Sequence, residues 1–270
     1  CLSRGLGDVY KRQVVDPDYI FNQLDTMATS FQRRVAGYDA NLPVKTNGHD
    51  EFAAYWTHEM QRLLQGYGPQ VSHDAFPLAG WTGLPAVVPG VNVEVTVPGA
   101  THPDQIVVIG CHYDAEEIST QSANDDASGC AIELGVARAM AGYWRARHLS
   151  PARTLRFVLF DAEEQGLYGS FHYVNATIAG DLPNVVAMFN EEQNGIAYPL
   201  RFLGKASNPL LPFTIDTAYQ SSTSAEQTLR ALTRQAIPAV FAAFRAVGIQ
   251  TATYATAGGQ VRIARRVDID

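Results

Sequence analysis

The chain has 270 residues, 46% of them hydrophobic and 17% charged, with 22 Gly and 14 Pro spread along its length. That length can bury a substantial core, and the composition excludes a disordered tail or a fibrous repeat. A formal charge of −7, from 20 Lys and Arg against 27 Asp and Glu, argues against nonspecific nucleic-acid binding, which needs clustered positive charge. No apolar run approaches the roughly 20 residues of a membrane span, and the start lacks the charged-then-apolar order of a signal peptide. A folded, enzyme-sized domain without a nucleic-acid or membrane partner is expected.

Residues 1–13, CLSRGLGDVYKRQ, have no clear period and resemble translated sequencing-adapter read-through; they are expected to be a non-native leader. Helical patterns follow over 17–35 and 50–66, where Phe52, Tyr55, Trp56, Met60, Leu63 and Leu64 recur at the spacing of a core-facing stripe. From Val71 the Pro and Gly residues at 77, 80, 83, 85, 89 and 90 read as a loop. Alternating valines then predict a strand over 91–97. A continuous apolar run predicts a strand buried on both faces at 105–111, and further strands are expected at 154–160 and 184–190, with helices over 127–144 and 169–174 between them. This series implies an α/β fold, three layers α/β/α around a mostly parallel or mixed sheet. One domain over 14–260 is expected, with its site core at 91–195, a further helix at 225–247 interrupted by Pro238, and a doubtful tail at 261–270.

The three cysteines, Cys1, Cys111 and Cys130, are too few and too widely spaced for a disulfide framework or a zinc knuckle. Cys111 and Cys130 are expected as small buried apolar residues.

Acidic and His residues collect where the predicted strands end, the edge at which α/β sheets bind ligands. His112 and Asp114 follow one strand and Asp125 and Asp126 precede a helix; Glu163 and Glu164, then Glu191 and Glu192, follow two more strands. Any one pair reads equally well as helix caps or solvated loop charge. Four pairs at successive strand ends imply a cation, because carboxylates crowded together without one are forced to protonate. Imidazole with carboxylate oxygen and no thiolate cluster suits Zn²⁺ or Mn²⁺, with room for two ions sharing a bridging carboxylate.

The segments CHYD (111–114), NDDASG (124–129), FDAEEQGLYGS (160–170) and VVAMFNEEQNG (185–195) resemble, in order and spacing, the co-catalytic zinc peptidases of the bacterial leucyl aminopeptidase type, metallopeptidase family twenty-eight. The resemblance implies a zinc-dependent exopeptidase fold in which His112 binds one zinc, Asp125 bridges both, Glu164 binds the second, and Glu192 stands where the family usually has Asp. It makes Glu163 the general base and Asp114 the acid that orients the His112 imidazole. It also implies a peptide substrate and a secreted or periplasmic setting. The family supplies a last His from a downstream SDH-like motif, and no His follows His172 here. One well-formed zinc site of the family's two is therefore expected, with truncation or a frame error as the reason and impaired activity as the result.

Three other readings compete. Glutaminyl cyclases share the resemblance and use one zinc, but NDDASG and EEQGLYGS sit nearer the peptidases. Carboxypeptidase relatives for acidic dipeptides would need an Arg cluster near these motifs, and none is seen. A noncatalytic binding domain descended from such an enzyme is permitted by the missing His. A serine hydrolase is disfavoured, because neither Ser128 nor Ser170 has a His placed to activate it.

Overall fold

The computed structural model describes residues 15–37, 48–78 and 88–194, and the backbone of strand segments at 198–199, 209–210, 249–256 and 259–266. The chain divides into two compact units, Cys1–Gly195 and Ile196–Asp270. The site core expected over 91–195 lies in the first.

The first unit opens with helices α1 (Pro17–Ser30) and α2 (His49–Leu64). Asp16 caps α1 by accepting the Asp18 and Tyr19 N–H groups, and Pro17 sits at the first helical position, where its missing N–H costs nothing. Strands β1 (Gln70–Phe76), β2 (Gly90–Val97), β3 (His102–His112), β4 (Arg153–Phe160) and β5 (Val185–Asn190) form one sheet. Helix α3 (Ser128–Arg147) joins β3 to β4, and the short α4 (Tyr168–His172) lies between β4 and β5.

The sheet order is β1-β2-β4-β3-β5. β1 with β2 and β2 with β4 are antiparallel, whereas β3 runs parallel to both β4 and β5. The expected mixed sheet is therefore observed. β3 is the pivot: the chain leaves it for β4 on one side and returns to β5 on the other. Such a reversal opens a crevice at the carboxyl ends of the strands.

The period of two along the strands sorts the core into layers. Leu155, Phe157 and Leu159 of β4 pack with Ile109 and Cys111 of β3 against Phe52, Trp56, Met60 and Leu64 of α2 and Leu134 of α3. Val158 and Phe160 face the other way and pack with Ile106, Val108, Tyr173, Ile178 and Val185. Because both sides are covered, β3 and β4 read as continuous apolar runs, and the three-layer expectation holds.

Several boundaries differ from expectation. The helical pattern over 17–35 ends at Ser30, and the chain continues through Arg33, in the left-handed region at φ +56°, toward the site. β1 falls in the stretch read as loop; six of its seven residues keep some exposure, so it lacks the alternation that marks a half-buried strand. Cys111 and Cys130 are joined as a disulfide rather than buried separately. Cys111 near the end of β3 and Cys130 in the first turn of α3 are on facing elements, a juxtaposition their separation of 19 residues does not reveal. In the second unit, β6 (Tyr198–Pro199) pairs antiparallel with β7 (Pro209–Leu210), and β8 (Ile249–Thr256) with β9 (Gly259–Arg266), a strand that includes part of the expected tail. The helix expected over 225–247 lies outside the described residues.

Candidate metal centre

Each segment reaches the site from a different element. His112 is the last residue of β3 and is 3% exposed. Asp125 precedes α3, Glu163 and Glu164 follow β4, and Glu192 follows β5. The ring atom His112 Nε2 lies 2.8 Å from Asp125 Oδ1, 3.6 Å from Glu192 Oε1 and 4.0 Å from Glu163 Oε2. Ligand atoms of His112, Asp125 and Glu192 all fall within 4.8 Å of one another, as do those of His112, Glu163 and Glu164. The structure thus brings together all five residues for which the sequence suggests a metal or a proton-transfer role.

Buried acids hold that arrangement from below. Asp114, fully buried, lies 3.3 Å from His112 Nδ1 and accepts the backbone N–H groups of Glu163 at 3.0 Å and Glu164 at 3.1 Å. One carboxylate therefore faces the imidazole and also sets the two glutamates after β4. Asp126, also fully buried, accepts the N–H groups of His112, Gly129 and Gln193 at 3.4, 3.0 and 3.2 Å. It ties the end of β3, the start of α3 and the loop after β5 together. Ser122, Ala162 and Gln193, beside three of the contributing segments, adopt φ of +42°, +55° and +48°; strained backbone of this kind concentrates at functional sites.

Electrostatics follow from this crowding. Burial opposes a charge on His112, but hydrogen bonds to Asp114, Asp125 and Glu192 outweigh it and push the ring pKa strongly upward. The His112 hydrogen bond lowers Asp125 despite partial burial. Burial raises Asp126 well above the carboxylate range. Glu163 is raised, chiefly by burial and then by Glu192, Asp114 and Asp125 against the opposing His112. Glu164 is pushed up to about 7 by burial and by Asp125, against His112. Among the described residues no Lys or Arg forms an ion pair with Asp125, Glu163, Glu164 or Glu192. Among the described residues, four carboxylates therefore crowd one imidazole edge with no Lys or Arg paired to them, which is a charge pattern a divalent ion fits.

Beside Asp125 and Glu164 opens a cavity of about 640 Å³ that Glu116, Ser119, Gln121 and Asn124 also line. The two serines near the acids are otherwise engaged: Ser128 Oγ donates to Asn124 O and Ser170 Oγ to Leu167 O. Gln193 is a further residue of the site that the sequence does not announce. Its side-chain amide donates to Asp125 Oδ2 at 2.8 Å, and an amide beside an acidic pair carries no signal in a single sequence.

Known proteins place the chain. A probable zinc metalloprotease of Pyricularia oryzae is 36% identical over 112 residues, covering 37% of this chain and 20% of that protein. Aminopeptidase YwaD of Bacillus subtilis is 35% identical over 97 residues, covering 36% of this chain and 20% of the aminopeptidase. The chain thus spans about a fifth of the length of these curated relatives. The crystal structure of an Acidobacteriales bacterium glutaminyl cyclase shares the fold, with a TM-score of 0.50 and 22% identity over 66% of this chain and 58% of that one. The sequence model of peptidase family M28 matches residues 92–268, well over half the chain and every segment of the acidic edge. The chain belongs to peptidase family M28.

Proposed function

We propose that the protein is a zinc-dependent aminopeptidase that hydrolyses the amino-terminal peptide bond of peptides. The observation that carries this reading is the convergence of His112, Asp125, Glu163, Glu164 and Glu192 at the carboxyl ends of β3, β4 and β5. His112, Asp125 and Glu192 would hold one zinc, the three-ligand count of a catalytic site with an open position. Asp125 and Glu164 would provide the start of a second site. Bound there, zinc supplies Lewis acidity toward the scissile carbonyl.

The chain's own residues do the rest. Glu163, partly exposed and raised from its ordinary value chiefly by burial, takes a proton from water and returns it to the leaving amine. Asp114 keeps the His112 ring and the Glu163 backbone in fixed relation. A secreted or periplasmic setting belongs to the same reading, and the Cys111–Cys130 disulfide supports it, since disulfides persist in oxidising compartments.

The test is Glu163→Gln, assayed on aminoacyl anilides with free and acetylated amino termini and on peptides beginning with Gln. Turnover of the free substrate should fall by about 10²- to 10⁴-fold while zinc content stays at the wild-type level. The acetylated substrate should resist the wild-type protein. Wild-type rates in the variant would remove Glu163 from the mechanism. Equal cleavage of blocked and free substrates would point to an endopeptidase, and ammonia release from Gln peptides without hydrolysis would point to a cyclase.

A further inference from the structure

Arg34 is fully buried, yet no part of the proposed chemistry uses it. An arginine is rarely buried without partners, because its charge must be met by acceptors. Here the acceptors are backbone carbonyls. Nε donates to Tyr113 O at 2.8 Å, Nη1 to Gln121 O at 2.9 Å and Phe31 O at 3.3 Å, and Nη2 to Ser122 O at 3.0 Å. The guanidinium also lies 4.7 Å from the centroid of the Phe52 ring, a cation–π contact with α2.

Three of these acceptors lie in sequence between the candidate ligands His112 and Asp125. Tyr113 O lies between His112 and Asp114, while Gln121 O and Ser122 O stand just before the Asn124-Asp125-Asp126 turn. The backbone beside Arg34 repeats the clamp: Arg33 N–H donates to Thr120 O at 2.9 Å, and Ala115 N–H donates to Arg34 O at 2.7 Å. Both ends of the loop from Tyr113 to Ser122 are thus fastened to one extended segment. The rigid planar fork of arginine suits this; a lysine ammonium could not span carbonyls on three segments.

We propose that Arg34 is a positioning residue for the metal centre, clamping the loop between His112 and Asp125 so that the two side chains present their ligand atoms at binding separation. The proposal rests on the metal-centre reading above. Geometry and charge predict opposite signs. A buried positive charge near the site repels a divalent ion, so charge alone would make a neutral variant bind zinc more tightly. Clamping makes it bind more weakly.

The test compares wild-type protein, Arg34→Met and Arg34→Lys, all as the 270-residue chain. Zinc affinity is measured by competition with a chromophoric chelator, and the visible absorption of the Co²⁺-loaded proteins reports coordination geometry. Near-UV circular dichroism of the metal-free proteins checks the fold. Loss of groups that support ligands from outside the coordination sphere costs roughly 10- to 100-fold in metal affinity. A drop of that size is expected in both variants, with altered Co²⁺ bands, although Arg34→Lys keeps the charge. Folded variants with wild-type affinity and spectra, or a neutral variant that binds more tightly, would overturn the proposal. Failure of both variants to fold would assign Arg34 to the global fold and overturn it as well. A wild-type chain that binds no zinc would refute the metal-centre reading itself.

Discussion

His49 and Asp161 form a buried pair that holds the end of β4 from beneath. His49 Nε2 lies 2.8 Å from Asp161 Oδ1, and Nδ1 lies 2.9 Å from Asp50 Oδ1. Asp161 also accepts the N–H groups of Val91 and Ala162, so it links α2, β2 and the turn into Glu163. Burial opposes charge on the ring, but the Asp161 and Asp50 carboxylates outweigh it and raise the pKa to about 10. The unfolded ring titrates near 6.5. A raised folded pKa means that the protonated ring stabilises the fold. That stabilisation is complete below about pH 6.5 and is lost as pH climbs through about 10. His49→Gln leaves Asp161 without its charge partner, so it should cost about 3–5 kcal/mol at pH 6, the range for a broken buried pair. Urea unfolding of wild type and variant from pH 6 to 10 should show the difference shrinking with pH. A constant difference would mean that His49 acts through packing alone. Of this network, only the nearness of Asp161 to the acidic motif was readable in the sequence. His49 stands just before the helical pattern at 50–66, and nothing local links positions 112 residues apart.

At the scale of elements, the start of α3 decides whether the acidic turn can seat. A Cβ on Gly129 would stand 2.5 Å from both Asp126 Oδ2 and Glu191 O, whereas one on Gly142 of the same helix would meet nothing within 4 Å. Gly129→Ala should therefore destabilise by about 1–3 kcal/mol through overpacking and weaken zinc binding, because Asp126 carries the loop that presents Asp125. Gly142→Ala should stabilise by about 0.5–1 kcal/mol, since Gly in a helix interior carries extra backbone entropy. Denaturant melts that moved both variants in the same direction would contradict this contrast. The elements most legible in the sequence are the apolar runs of β3 and β4, buried on both faces, and of β5, whose run is recognisable although Met188 and Phe189 are exposed. β1 is an edge strand whose register is set by β2 rather than by its own pattern, and the end of α1 is set by contacts that Arg33 and Arg34 make far along the chain. Both depend on tertiary context that propensity does not carry.

In the molecule as a whole, sheet order turns a linear motif into a site. β3 lies between β4 and β5, so residues after three strands and before one helix meet at a single edge although they span positions 112 to 192. The motifs were legible because three sit at strand ends and one at a helix start, where backbone geometry places them without help from their neighbours. Gln193 and Arg34 were not, because their roles exist only once separate segments are assembled. Among the described residues the donor count predicts one firmly held zinc at His112, Asp125 and Glu192, with only Asp125 and Glu164 for the second position. Elemental analysis of the purified chain and of His112→Ala, without added metal, tests this centre directly. The expected result is close to one zinc per wild-type chain and very little in the variant. A wild-type chain without zinc, or a His112→Ala chain that keeps its full zinc content, would contradict it.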